Sequence, residues 1–482
     1  MIKQRTLFFG KCPAKSPKKC GGNQPVPQRR FMAVPVGDIQ VRFTNSSVTQ
    51  FGGYPLWRSF LDQVGLSAKL AHHIKMDRGE GFTAPEISRF FIDSRVLGAD
   101  RLMHVDKMRC DPILTSAFGI DGLPSDETIG RHLKSFGCGH LESLDRLNVR
   151  LNNQLWKKSR KNRRGAARDG RIILDYDSST MTVYGKQEGA DRGRSFRKKD
   201  KGGFQPKFAF IGGLGVMVNQ QLYPQSHNLP NGFDAFHRET VRKVPKTARI
   251  WAVRSDGALY SQERIQWFER QGYTYAVSAK VTSHLREAIK AIPQGAWLEG
   301  EDERGRPYSI ARISYRPKTW RGGRTYIISR RLKDTKGQKM LWEWERYKYF
   351  AYVTSYRAAL LAQFTFCVER CTLESFIKES KNGFHYDFLP CKELDANRAY
   401  LGHIQMAYNL FIWWKVLRAP AGVNRWTIDT VRRRVLNICG TLRRYKGGWV
   451  LSLPKWWPWQ VTYGQLALAS GLPPPRGSGE WN

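Results

Sequence analysis

Three carboxylates stand in local frames that suit a shared metal site. Asp256 closes the apolar run Ile250-Trp251-Ala252-Val253-Arg254-Ser255-Asp256, an earlier run Ile172-Ile173-Leu174-Asp175-Tyr176-Asp177 also ends in acid, and Glu374 falls in the helix-periodic stretch from Arg370 to Lys381. Acids at two strand ends and on a helix, far apart in sequence, offer the oxygen ligands and open water positions that hard divalent cations require. Asp175 and Asp177 compete for the first position, because alternate residues of a strand share a face. Asp177 lies nearer the strand end and is the expected ligand. Each acid has a plainer alternative: a strand-end turn former for Asp177 and Asp256, and a solvated helical carboxylate paired with Lys378 at i+4 for Glu374. Against that alternative, Arg370, Glu374, Lys378 and Lys381 fall along one helix face, with Phe366, Leu373 and Ile377 as an apolar stripe. One acid among three cations suits a metal ligand flanked by anion-binding groups.

The elements that must position these residues follow from the pattern. Residues 1–45 are rich in Lys, Arg, Pro and Gly and read as a basic flexible arm. From 46 to 158 the periodicity is helical, with a capping box at Thr83-Ala84-Pro85-Glu86 and a Ser125 N-cap opening a helix that carries Arg131. That second turn and helix fit a helix-turn-helix recognition helix and an ordinary surface helix equally. Strands are expected over 171–177, 181–185, 207–218, 249–255 and 273–279, then a helix over 283–292. They make 159–292 the first part of a core. Residues 293–358 read as a β-rich insertion with turn glycines and many Trp and Arg, 359–420 as the second part of the core carrying Glu374, and 421–482 as a basic C-terminal region. Gly212-Gly213-Leu214-Gly215 is expected within a strand and is too lean for a nucleotide loop. His104, His132 and His403 are read as structural.

Composition narrows the partner. The 482 residues carry 80 Lys+Arg against 41 Asp+Glu, a formal charge of +39, which calls for a polyanion, and nucleic acid is the obvious one. Small basic packaging proteins are excluded by length, since this chain is long enough to bury several cores. The 16 Trp exceed the usual demand of a core, and part of them is expected to stack on bases. No apolar run reaches the roughly 18 residues that span a bilayer, and the N-terminus lacks a signal-peptide core, so no membrane association and a place inside the cell are expected. The eight Cys are scattered without paired C-x-x-C spacing and are read as reduced thiols.

On these residues the chain resembles bacterial insertion-sequence DDE transposases of the branch with a Tyr-x-x-Arg-x-x-x-Glu-x-x-x-x-x-x-Lys signature. The signature aligns as Cys367, Arg370, Glu374 and Lys381. The segment Leu174 to Ser179 leading to Gly185-Lys186-Gln187-Glu188 is similar to the branch's first-acid strand and turn, Arg254-Ser255-Asp256-Gly257 to its second-acid segment, and Ala407-Tyr408-Asn409-Leu410 to its late helix. Cys367 departs from the signature Tyr, whose phosphate contact would be lost or supplied by Tyr386 or Tyr356.

The resemblance implies an α/β fold: an RNase H-like mixed five-stranded sheet with helices, interrupted by the β-rich insertion, plus a helical N-terminal DNA-binding and dimerisation region. It implies Asp177, Asp256 and Glu374 as catalytic metal ligands for two Mg2+ ions, with Mn2+ able to substitute. DNA contacts are expected from Arg370, Lys378, Lys381, Arg131 and Arg254, and from Trp320, Trp342 and Trp344, with Trp297 a further aromatic platform. The implied activity is cut-and-paste transposition on the terminal inverted repeats of an insertion sequence and on target DNA, by a homodimer in the bacterial cytoplasm at the nucleoid. A binding protein that no longer cuts, and an RNase H-like nuclease that only hydrolyses, are the alternatives. Intact acids in all three frames disfavour the first, and the long basic N-terminal region and the insertion disfavour the second.

Overall fold

The computed structural model describes residues 42–475 apart from 44, 78, 80, 164, 194–200, 303, 334–342, 447 and 474. Its strands are β1 (Val48–Thr49), β2 (Arg171–Ser178), β3 (Met181–Thr182), β4 (Gly203–Phe204), β5 (Lys207–Ile211), β6 (Val216–Gln221), β7 (Arg249–Ser255), β8 (Thr274–Ala279), β9 (Leu298–Glu301), β10 (Pro307–Tyr315), β11 (Arg324–Leu332), β12 (Tyr347–Thr354), β13 (Gly440–Tyr445) and β14 (Gly448–Ser452). The described residues form two compact units, one of residues 62–106 with 124–417, the other of 42–61, 107–123 and 418–475. The helical stretch expected as one region over 46–158 therefore contributes to both.

The larger unit is built on a nine-stranded mixed sheet in the order β6-β5-β2-β7-β8-β12-β11-β10-β9. Its first half has β5 and β6 antiparallel to their neighbours and β2, β7 and β8 mutually parallel. The expected insertion is no separate module. Its strands continue the same sheet, because β12 pairs antiparallel with β8 from Ala351↔Ala279 to Thr354↔Ala276. The sheet face shared by the two halves buries one apolar cluster in which Ala252 of β7, Ala276 of β8, Ile310 of β10 and Ile327 of β11 meet Phe364, Phe366 and Cys367 of the helix Leu360–Val368. The opposite face carries the helices Phe233–Lys243 and Gln262–Arg270, neither of which was expected from the sequence, with Tyr176 packed on Phe233, Phe236 and His237.

One strand expectation needs correction. The run 207–218 is a hairpin, not one strand, and Gly212 to Gly215 form its turn; Gly213 and Gly215 take left-handed φ values of 77° and 76°, which glycine adopts without a Cβ penalty. The second part of the core, expected over 359–420, holds three helices, Leu360–Val368, Cys371–Phe384 and Leu394–Arg418. The last is buried nearly all round, which explains its apolar sequence, and its polar residues are used internally. Asn409 accepts from Met217 N at 2.9 Å and donates to Met217 O at 2.8 Å, beside the point where the β5–β6 register shifts. No helix is long and apolar enough to cross a membrane, among the described residues.

Elsewhere the helix signals hold. Thr83 and Glu86 form the capping box of Ala84–Leu97, and Ser125 accepts from Thr128 N to open Asp126–Lys134. His132 and His403 are buried and share the Ser88 hydroxyl at 2.8 and 3.0 Å, which fits their structural reading. In the smaller unit a three-stranded sheet of order β1-β13-β14 is joined by the helices Pro112–Phe118 and Gln460–Ala469; Asp111 caps the first of these and accepts from Thr49 Oγ1 at 2.8 Å.

Candidate active site

Strand register builds the site. β2 and β7 are parallel neighbours with Asp175 opposite Arg254 and Tyr176 opposite Ser255. One residue further, Asp177 and Asp256 fall side by side at the strand ends. Which face they share is set by a buried ion pair: Arg254 Nε donates to Asp175 Oδ1 at 2.6 Å and Nη2 to Oδ2 at 2.9 Å, with both side chains at most 1% exposed. Residues two places on point the same way, so Asp177 and Asp256 open on the face where Asp175 and Arg254 meet. Gly212 is part of this arrangement, since a Cβ there would lie 2.6 Å from Asp175 Oδ2 and 2.8 Å from Arg254 Nη2.

Arg254 then places the third acid. Its Nη1 donates to Phe366 O at 3.0 Å and to Glu369 Oε2 at 3.2 Å, holding the end of one helix against the sheet. The next helix starts at Cys371, with Glu374 in its first turn, where the helix dipole favours negative charge. Arg370, nine-tenths buried, lies 3.7 Å by Nη1 from Asp177 and 3.3 Å by Nη2 from Glu374. Asp177 is pushed up to about 7, first by burial and then by the negative charge of Asp256, with Glu374 adding to the effect and Arg370 and the Ser178 amide opposing it. The three expected acids are therefore electrostatically one cluster.

The donor set fits a hard divalent cation: three carboxylates, one raised to about 7 by burial and then by its neighbours' charge, a shift that a bound cation would oppose. Among the described residues no three His, Cys, Asp or Glu side chains are close enough to hold an ion as they stand, and Arg370 is the countercharge between Asp177 and Glu374.

The other expected residues divide. Lys378 is exposed on the Glu374 helix. Lys381 donates to Ser179 Oγ at 2.6 Å, tying the helix to the loop after β2, and burial lowers its pKa. Arg131 is exposed on Asp126–Lys134. Arg254 is not placed to touch DNA, because its guanidinium is buried and shared among Asp175, Glu369 and Phe366. Cys367 lies in the apolar cluster with its thiol pushed up to about 12 by burial, so the signature position faces the interior. Tyr386 cannot supply a phosphate contact there, being buried with its hydroxyl on Gln220; Tyr356 packs between Trp251 and Phe366. Trp320 lies half-buried on Tyr260, four residues past Asp256, with ring centroids 5.1 Å apart. Trp297 is a core residue under the Arg330 guanidinium, 4.1 Å from its centroid. Trp342 and the side chain of Trp344 lie outside the described residues. Sequence reasoning missed the organising roles of Asp175, Arg254 and Glu369, although the i, i+2 relation of Asp175 to Asp177 and of Arg254 to Asp256 contained the first two.

The acid cluster lies at the ends of two parallel strands and is completed from a later helix. Residues 32–470 match the family model described as Transposase DDE domain group 1, and the chain belongs to that family. No curated protein matches. Among solved structures, the chain is similar to a cryo-EM structure of piggyBac transposase in a synaptic complex with hairpin DNA, with 12% identity over 80% of this chain and 79% of that one and a TM-score of 0.37. It is also similar to the Drosophila P element transposase strand transfer complex, with 14% identity over 41% and 38% and a TM-score of 0.20. Likenesses this remote carry no detail of mechanism.

Proposed function

We propose that this DDE transposase binds the terminal inverted repeats of its own insertion sequence and carries out cut-and-paste transposition, with Asp177, Asp256 and Glu374 as the catalytic metal ligands and an RNase H-like core as their scaffold. The observation that carries the reading is the convergence of the three acids, in which burial first and then the charge of Asp256 and Glu374 raise Asp177 to about 7. Mg2+ held by these carboxylates would supply activation of the attacking oxygen and stabilisation of the leaving one. Arg370 lies between Asp177 and Glu374 as their countercharge and would balance the negative charge that develops on the phosphate. Lys381 fixes the loop after β2 through Ser179, and Lys378 adds positive charge where the backbone would approach. In the first step water attacks a phosphodiester in line and the 3′-oxygen leaves; in the second that 3′-hydroxyl attacks another phosphodiester and a second 3′-oxygen leaves. Of the tryptophans expected to contact DNA, Trp320 is the candidate on exposure and position. Two ends held together imply a homodimer.

The test is strand mapping with Asp177→Ala, Asp256→Ala and Glu374→Ala on duplexes carrying the element's ends. Each variant is expected to lose cleavage while binding stays within a few-fold, because metal ligands act on the chemical step. Retained cleavage removes that residue from the site, and a parent that binds the ends but never cuts establishes the repressor alternative.

A further inference from the structure

The smaller unit carries a surface that the acid cluster does not use. Among the described residues β13 pairs with β1 at Gly440 and Thr441, and Leu442 N donates to Ser47 O at 2.9 Å; beyond these β13 and β14 continue as a two-stranded ribbon, Arg443↔Val450, Arg444↔Trp449 and Tyr445↔Gly448. At about 3.4 Å per residue the free part projects about 10 Å. Its side chains are unusual for water: Tyr445 is 62% exposed, Trp449 63% and Val450 45%, interleaved with exposed Arg443, Arg444 and Lys446. Lys446 takes a left-handed φ of 47° at the tip, a strained position for a residue with a Cβ. An isolated two-stranded ribbon is marginal in water, and exposed aromatics on one mark a surface that is covered in use.

The charge decides what covers it. From Asp429 to Glu480 the sequence contains no Asp or Glu between the two and eight Lys or Arg. A second copy of a chain with formal charge +39 would meet this ribbon with repulsion, whereas a phosphate backbone would meet it with attraction. A two-stranded ribbon also fits the major groove, about 12 Å wide.

We propose that the ribbon of β13 and β14 enters a groove of duplex DNA by the face on which Arg444 lies opposite Trp449, Trp449 lying against the base edges, Arg444 and the flanking Arg443 contacting backbone phosphates, and Tyr445 on the other face. The proposal rests on duplex DNA being the partner of this transposase, and not on the acids being catalytic.

The experiment measures binding of the full chain to a mixed-sequence 30-bp duplex over a salt series without divalent ion, so that cleavage plays no part. The double variant Arg443→Ala/Arg444→Ala is expected to flatten the log–log salt slope by about two, at about 0.9 per phosphate. Trp449→Ala is expected to weaken binding about fivefold or more with the slope unchanged, and Trp449→Phe to restore most of it. Thermal melting of the free variants serves as the folding control, and all of these positions are solvent-exposed, so native melting is expected. Unchanged affinity and slope in both variants overturn the proposal. So do equal losses on a single strand of the same length, a Trp449→Ala defect confined to self-association without DNA, or one confined to anionic lipid vesicles. A parent that fails to bind any duplex refutes the proposed function instead, and one that binds but does not cut leaves the ribbon result standing.

Discussion

Asp177 is the residue on which the chemistry and the stability of the site conflict. Its carboxyl is raised from 3.8 to about 7, so between those values the folded chain holds a proton that the unfolded chain releases. The group's contribution to stability falls as pH rises through that window, and the penalty is complete above pH 7. At about 1.4 kcal/mol per tenfold it is on the order of 4 kcal/mol at most. In EDTA, Asp177→Asn is therefore expected to melt above the parent at pH 8 and level with it near pH 4. Mg2+ at pH 8 should raise the parent's Tm and not the variant's; an Asn effect independent of pH would remove the charge cluster as its cause. Asp175 behaves differently. Taking it away leaves the Arg254 guanidinium buried with only the half-exposed Glu369 and a carbonyl, so Asp175→Ala is expected to cost about 3 to 5 kcal/mol of stability, read by chemical denaturation. If Asp175→Ala denatures like the parent yet cannot cut, Asp175 is the ligand and Asp177 is not.

At the scale of elements, the site is a junction of a strand pair, a turn and a helix pair. The turn is the least forgiving part, since Gly212 passes against the Asp175–Arg254 pair. Gly212→Ala should force that pair apart, with a loss of about 1 to 3 kcal/mol and of cleavage; a variant with parental denaturation and parental cleavage would show that the pair does not set the helix position. Much of this level was legible. The strands ending at Asp177 and Asp256 and the helix carrying Glu374 follow from apolar alternation and turn residues, and the two caps at Thr83 and Ser125 from their side-chain chemistry. What was not legible came from tertiary pairing. Arg254 looks like any cation beside an acid until its strand is aligned with β2, and Cys367 looks like a displaced Tyr until its helix is packed on the sheet. The helices Phe233–Lys243 and Gln262–Arg270 were missed because each is short and charged on its outer face.

At the scale of the larger unit, the nine strands form one hydrogen-bonded sheet and the two halves share one apolar cluster. Residues 293–358 are thus tied to the core through β12 and β8 and, at the start of β11, through Arg324 to Glu269 at 2.6 and 2.9 Å. The region should melt with the core in one cooperative transition, observable as common hydrogen-exchange protection of β8 and β12. Earlier exchange across β9 to β12 as a group would show a separable module. The joint between β8 and β12 also bears on any attempt to shorten the protein. Excising 293–358 would strip β8 of its neighbour and leave a row of open amides and carbonyls beside newly bared Ala252, Ala276 and Phe364, a template for other chains to add to. A minimal version trimmed to the catalytic acids would be expected to precipitate rather than to cut, so miniaturising this enzyme means replacing that stretch with another edge cover.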